Sequence, residues 1–307
     1  MTSALVFAYH NVGVRCLQVL REAGVKVSLV VTHNDNPNEN VWFGSVRQTC
    51  ADNFIPYITP LDPNIPEMKA QFRALAPDFI FSFYYRHMLH PDVLALAPRG
   101  AYNMHGSLLP QYRGRAPVNW AVIHGSSSTG ATLHVMETKP DAGAIVCQTA
   151  VPILSDDTAR EVYDKVTVAA EMTLWRALPE LLAGKTVFIH QDLSQGSYFT
   201  GRQPEDGRID LRQSARSIHN LVRGVAPPEY PGAFIDLAGQ RLRLWRTAPV
   251  PQFGAHTQAN LFCDNGALYL GLSDGTLRVV KADLNNTPFD ADQFAALFPQ
   301  HKLLLSS

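Results

Sequence analysis

The chain has 307 residues, of which 46% are hydrophobic and 17% charged, and its formal net charge is −1. A chain of this length buries a full core without disulfides or metals, and a near-zero charge argues against a general nucleic-acid binder, whose affinity comes largely from neutralising phosphates. The four cysteines, Cys16, Cys50, Cys147 and Cys263, are widely spaced, and no basic region precedes a long apolar run, so the sequence reads as cytosolic, with no disulfide framework, signal peptide or membrane insertion.

Residues 5–8 form a short apolar run, and Val14, Leu17 and Leu20 then recur at helical spacing up to a stop at Gly24. Residues 27–31 are apolar and β-branched. Strand, helix and strand in this order open a parallel α/β sheet. The first turn, His10-Asn-Val-Gly13, is not a GxGxxG loop, so a nicotinamide site is poorly supported. Met68, Phe72 and Leu75 predict a helix, residues 79–83 a buried strand, and residues 93–96 a short helix. Residues 101–105 read as a strand running into a loop. Residues 131–136 and 145–151 read as two more strands, joined by a turn around Asp141. Thr158 and Glu161 form a capping box ahead of a long amphipathic helix that ends near Gly184. Residues from about 192 to 208 are rich in Ser, Gly, Gln and Pro. After a short helix over 214–222, the turn pairs Ala238-Gly239, Asn265-Gly266 and Asp274-Gly275 punctuate apolar runs, as in a small β-barrel. The expectation is an α/β domain with a Rossmann-like, mostly parallel sheet over 1–190, a linker or substrate loop over 191–208, and a small OB-like β-barrel over 209–307.

The densest chemical signal spans residues 103–120. Side chains two apart on a strand share a face, so Asn103 and His105 point the same way, and the carboxyl end of a parallel strand is where α/β sites open. His105 alone would read as a hydrogen-bonded strand-end residue. The pair, followed by Leu-Leu-Pro and the arginines Arg113 and Arg115, reads as a site. An amide N–H and a histidine suit an attack on a carbonyl carbon, since both stabilise a developing oxyanion and histidine also moves a proton. A carboxylate beside such a ring orients it and favours its charged form. Asp141 is the candidate, although Pro-Asp-x-Gly is also ordinary turn vocabulary and the residue types leave that choice even.

Asn103, His105, the Ser107-Leu-Leu-Pro110 stretch and Asp141 resemble the pattern of the folate-dependent formyltransferases. These include glycinamide ribonucleotide formyltransferase, methionyl-tRNA formyltransferase and the sugar N-formyltransferases. The similarity is closest to the formyltransferase domain of the bifunctional aminoarabinose enzyme of lipid A modification, through residues 7–10, 81–87, 105–117 and 201–206, and it covers nearly the whole chain. It implies 10-formyltetrahydrofolate as donor, with no metal, and UDP-4-amino-4-deoxy-L-arabinose as acceptor, hence a role in lipopolysaccharide and polymyxin resistance. It also implies Asn103, His105 and Asp141 as catalytic residues. Folate contacts would fall on His87, Met88, Leu89, Arg115, Glu137, Thr138, Lys139 and Pro140, with Met88 departing from the usual branched residue. Acceptor contacts are placed on Tyr9, His10, Arg113, Arg202, Pro204 and Asp206, while Tyr84 and Tyr85 read equally as packing. The bifunctional enzyme continues into a decarboxylase, and this sequence has no second GxGxxG unit. A stand-alone transferase, a separate decarboxylase partner, or a longer parent chain would account for that. A homo-oligomer is compatible with the sequence.

Three other readings compete. A methionyl-tRNA enzyme would need a basic track, to which Asp206, Asp210, Asp264, Asp274, Asp283, Asp290 and Asp292 are poorly suited. A different nucleotide-linked aminosugar would change only the crevice contacts. A catalytically dead binding protein would be expected to have lost one of Asn103, His105 and Asp141.

Overall fold

The computed structural model describes residues 1–35, 40–237 and 239–305. Strand β1 (Ser3–Ala8) is buried along almost its whole length, as suits a sheet covered on both faces. Helix α1 (His10–Glu22) follows at once and turns Val12, Cys16, Leu17, Val19 and Leu20 inward at helical spacing; Val14 is only partly buried. Strand β2 (Lys26–Val31), helix α2 (Val46–Asp52), strand β3 (Tyr57–Ile58) and helix α3 (Pro66–Ala74) lead to β4 (Phe79–Phe83). Helix α4 (Pro91–Leu94) then leads to β5 (Ala101–His105). Beyond β6 (Arg113–Gly114) and α5 (Pro117–Ile123) come β7 (Ser128–Val135), β8 (Ile145–Pro152), the long α6 (Ala159–Ala183) and β9 (Tyr198–Phe199).

The main sheet runs β3-β2-β1-β4-β5-β7-β8. Its first five members are parallel, and β7 and β8 join antiparallel. The strand order reverses between β1 and β4, the topological switch at which open α/β sheets form a ligand crevice. Tyr9, His10 and Tyr84 follow directly from the carboxyl ends of those two strands, and His105 closes β5. Beneath them Phe7 and Phe72, both fully buried, meet edge to face at 5.5 Å. Burying such a ring contributes roughly 1.5–3 kcal/mol.

The second half is antiparallel. Helix α7 (Ala215–Gly224) precedes β10 (Ala233–Leu237), β11 (Gln240–Pro249), β12 (Asn260–Asp264), β13 (Ala267–Leu272), β14 (Gly275–Leu284), β15 (Thr287–Pro288), α8 (Ala291–Leu297) and β16 (Lys302–Leu304). The strand order β10-β11-β14-β13-β12-β16 makes a curled half-barrel rather than a closed one: β10 and β16 stand at opposite ends of the path. Its core gathers Leu242, Leu244, Leu270 and Leu277, with Ile218 and Val222 of α7 packed into it. Hairpins form at Asn265-Gly266 and Asp274-Gly275, as the turn chemistry predicts. In the third pair, Ala238-Gly239, Ala238 lies outside the described residues.

The chain divides into two compact units. The first contains Met1–Pro117, Ser128–Pro152 and Tyr163–Thr200; the second contains Val118–Ser127, Ile153–Val162 and Gly201–Ser307. The stretch expected as linker holds β9, which pairs with β6 inside the first unit. A two-residue strand has no periodicity by which a sequence could reveal it. Among the described residues no helix is long and apolar enough to cross a membrane.

Candidate active site

Asn103 and His105 do share a face at the end of β5. Both lie opposite β7, where Asn103 is in register with His134 and His105 with Thr132. Asn103 Nδ2 lies 3.1 Å from His134 Nε2. His134 Nδ1 lies 2.8 Å from the Val135 carbonyl, which can only accept, so the proton sits on Nδ1. In the neutral ring Nε2 is then an acceptor, and the amide must present its NH2 end to it. One N–H of Asn103 is thereby used, and the other has no protein partner among the described residues.

His105 is 6% exposed. Its Nε2 donates to the Tyr112 carbonyl at 2.8 Å, and its Nδ1 stands 3.5 Å from Asp141 Oδ1. Asp141 Oδ2 accepts from the Gly114 N–H at 2.9 Å, and its Oδ1 is 3.4 Å from His134 Nε2. Burial alone would raise the Asp141 pKa. The electrostatic pull of the His105 imidazole and the hydrogen bond from the Gly114 N–H outweigh that and hold the carboxyl well below the usual carboxylate range. The direction stands with His134 neutral, because His105 and Gly114 both favour the anion. Asn103, His105 and Asp141, drawn from positions 103 to 141, thus come together with His134, which contacts both Asn103 and Asp141 and which sequence reasoning missed.

The loop between β5 and β6 is fixed from within. Ser107 Oγ donates to the Gln111 carbonyl at 2.6 Å, Thr132 Oγ1 donates to the Ser107 carbonyl at 2.6 Å, and the Leu109 N–H donates to Thr132 Oγ1 at 3.1 Å. Gly106 allows the Tyr84 hydroxyl to lie where a Cβ would sit, 1.9 Å from it. Gln191 ties the other loop by donating to the carbonyls of Asp141 and Gly143. His10, Tyr84, Tyr112, Ala116 and Asp141 all have positive φ, a conformation that costs non-glycine residues on the order of 1–3 kcal/mol each and collects at functional sites.

Tyr9 and His10 come together with residues the sequence did not flag. His10 stacks on Phe43 at 3.6 Å between ring centroids, meets Trp42 edge-on and hydrogen-bonds Tyr163 through Nδ1. Tyr9 donates to Asp35 at 3.1 Å and lies under the Arg86 guanidinium. His33 stacks on Tyr85 at 4.2 Å and on His87 at 5.1 Å. These aromatics are scattered through loops, where no spacing rule links them. His87, Met88, Arg115, Glu137, Thr138 and Lys139 are exposed, and Pro140 is half-buried. Leu89 instead packs its side chain into the core with Phe7 and Phe72. Arg113 is buried. Arg202, Pro204 and Asp206 belong to the second unit, in a turn fastened on itself: Asp206 accepts from the Gln203 N–H, and Arg202 donates to the Asp206 carbonyl and lies over Trp120.

Residues 6–178 match the formyl transferase family, and residues 202–299 match the formyl transferase C-terminal domain. The chain belongs to the formyl transferase family. It is therefore a formyl-transferring enzyme by descent, with both of the family's domains present in order. Solved structures share this fold at low identity. An N-formyltransferase from Helicobacter canadensis, in complex with folinic acid and dTDP-3-aminofucose, superposes with a TM-score of 0.71 at 17% identity, over 94% of this chain and all of that one (100%). A sugar 3N-formyl transferase in the presence of dTDP and 5-N-formyl-THF gives 0.69 at 20% identity, over 94% and 99% of the two chains. A 4-N formyltransferase from Francisella tularensis gives 0.61 at 21% identity, over 78% and 95%.

Proposed function

We propose that this formyl transferase moves the formyl group of 10-formyltetrahydrofolate onto the amine of a nucleotide-linked aminosugar, with UDP-4-amino-4-deoxy-L-arabinose as acceptor. The observation that carries the reading is the buried cluster of Asn103, His105, His134 and Asp141, with one Asn103 N–H left for an oxygen. The amine nitrogen attacks the formyl carbon, and the carbonyl oxygen takes the negative charge against Asn103 and His105. Collapse breaks the bond to folate N10, and the proton shed by the amine passes through His105 to that nitrogen. Asp141, an anion at working pH, balances the imidazolium formed on the way.

The residues present suit the donor. Met88 is 55% exposed and so available to a pterin, and Arg115, after β6, and Glu137, Thr138 and Lys139, between β7 and β8, are exposed as well. Leu89 would contribute main chain only. Tyr9 and His10, joined by Trp42, Phe43 and Tyr163, would receive the nucleotide end of the acceptor at the β1–β4 switch. A dTDP-linked aminosugar is the second reading, favoured by the dTDP species held in two of the similar structures.

Incubating the protein with 10-formyltetrahydrofolate and, separately, UDP-4-amino-4-deoxy-L-arabinose, a dTDP-aminosugar and charged initiator tRNA tests both readings by product mass. A gain of one formyl group on the UDP-sugar alone is expected. Formylation of the dTDP-sugar alone selects the second reading, and formylation of tRNA alone removes both.

A further inference from the structure

Residues 112–114 touch the catalytic cluster through main chain at both ends: the Tyr112 carbonyl accepts from His105, and the Gly114 N–H donates to Asp141. Between them Arg113 is 7% exposed. Its Nε is buried with no hydrogen-bond partner, and no carboxylate pairs with its guanidinium among the described residues. A guanidinium cannot shed its charge to escape burial, as a lysine can. The molecule satisfies its buried Arg223 and its partly buried Arg243. Arg223, also 7% exposed, donates to Asn220 Oδ1 and to the Asp157 and Leu154 carbonyls, and Arg243 pairs with Asp283. Asp141, close by in the chain contacts, is engaged instead by Gly114 and His105. The Arg113 main chain is clamped as well, since its N–H donates to the Ser197 carbonyl at 3.0 Å and the Arg115 N–H to the Phe199 carbonyl at 2.9 Å.

We infer that Arg113 is the anion anchor of the acceptor and that its guanidinium takes an oxygen pair of the nucleotide diphosphate. This rests on the nucleotide-sugar reading above. A buried, clamped, uncompensated arginine is a preorganised fork for a phosphoryl or carboxylate group. Two substrates carry such groups, the acceptor in its diphosphate and the folate in its glutamate tail. Arg113 is one residue from the two main-chain groups that hold His105 and Asp141, so its partner must lie near the reacting amine. A single sugar ring separates amine from diphosphate, whereas an aminobenzoyl-amide spacer separates the formyl group from the glutamate carboxylates.

The test is calorimetric titration of wild-type protein, Arg113→Gln and Arg113→Lys with UDP, and separately with 5-formyltetrahydrofolate. The proposal expects UDP affinity to fall about 10- to 100-fold in Arg113→Gln, the scale of a charge-assisted hydrogen bond, and to recover in part in Arg113→Lys. Folate affinity, which also reports that each variant is folded, should stay within about twofold in Arg113→Lys. If folate binding weakens while UDP binding holds, the anchor belongs to the folate and the proposal is overturned. It is overturned equally if neither changes. If wild-type protein binds the folate but no nucleoside diphosphate, the acceptor reading itself has failed, and that result is visible before any variant is made.

Discussion

His134 decides which way the Asn103 amide faces, and so, in the proposed mechanism, whether an N–H is available to an oxyanion. Its Nδ1 is committed to the Val135 carbonyl, which leaves only the acceptor nitrogen for Asn103. That role was illegible in the sequence because it depends on β5–β7 register, which no local spacing encodes. Asn103 and His105 were legible because a period of two put both polar side chains on one face. Asp141 was not decided by residue type; what distinguishes it from an ordinary turn residue is the Gly114 N–H and the two imidazoles around it. Replacing His105 by Ala should lower kcat at least about 10²-fold, the scale of one acid–base group, in a steady-state assay with the formylated product quantified. Near-normal turnover would remove His105 from the chemistry. Asp141 makes a prediction in pH. Its folded pKa lies below the unfolded value of about 3.9, so its contribution to stability is complete above that value and is lost as pH falls below it. The difference in unfolding free energy between wild-type protein and Asp141→Asn, measured by denaturant titration, should therefore narrow as the pH is lowered below about 4. A difference independent of pH would show that the carboxylate is not preferentially stabilised in the fold.

At the scale of elements, the two-residue pair β6 and β9 matters out of proportion to its length. It fixes the chain on either side of Gly114, whose φ is +93° and whose Cβ, if present, would lie 2.1 Å from the Phe199 carbonyl oxygen. Gly114→Ala should therefore cost roughly 1–3 kcal/mol in stability. It should also depress kcat, because the N–H that holds Asp141 moves with it. Thermal unfolding together with single-turnover rates checks both, and an unchanged rate in a destabilised variant would separate β6 from catalysis. The long elements were readable in advance: β1, α1, β4, β5 and α6 carry enough periodic positions to declare themselves. The short α2, α5 and β3 do not, and the antiparallel attachment of β7 follows from tertiary pairing rather than from any feature of its own residues.

On the scale of the molecule, the second unit is assembled from three stretches of chain, and α7 holds them together. Arg223 reaches the Val122, Leu154 and Asp157 carbonyls, Asn119 donates to the Gly224 carbonyl, and His219 bonds both Thr247 and the Ser155 carbonyl. Arg223→Leu keeps the bulk but strands those carbonyls, and about 3 kcal/mol of destabilisation is expected by equilibrium denaturant unfolding followed by circular dichroism. Loss of less than ~0.5 kcal/mol would mean that the helix is held by its apolar face alone. The hairpin chemistry announced an antiparallel barrel, of which the structure forms only a curled half, and nothing in the sequence announced that residues 118–127 and 153–162 complete that unit. For recombination between relatives, this sets the permissible crossover points. A chimera joined at residue 200 would inherit one parent's half-barrel and the other parent's two inserts, so its compatibility depends on positions upstream of the junction. Grafts that carry 118–127 and 153–162 along with the tail should yield functional hybrids more often than single-crossover exchanges.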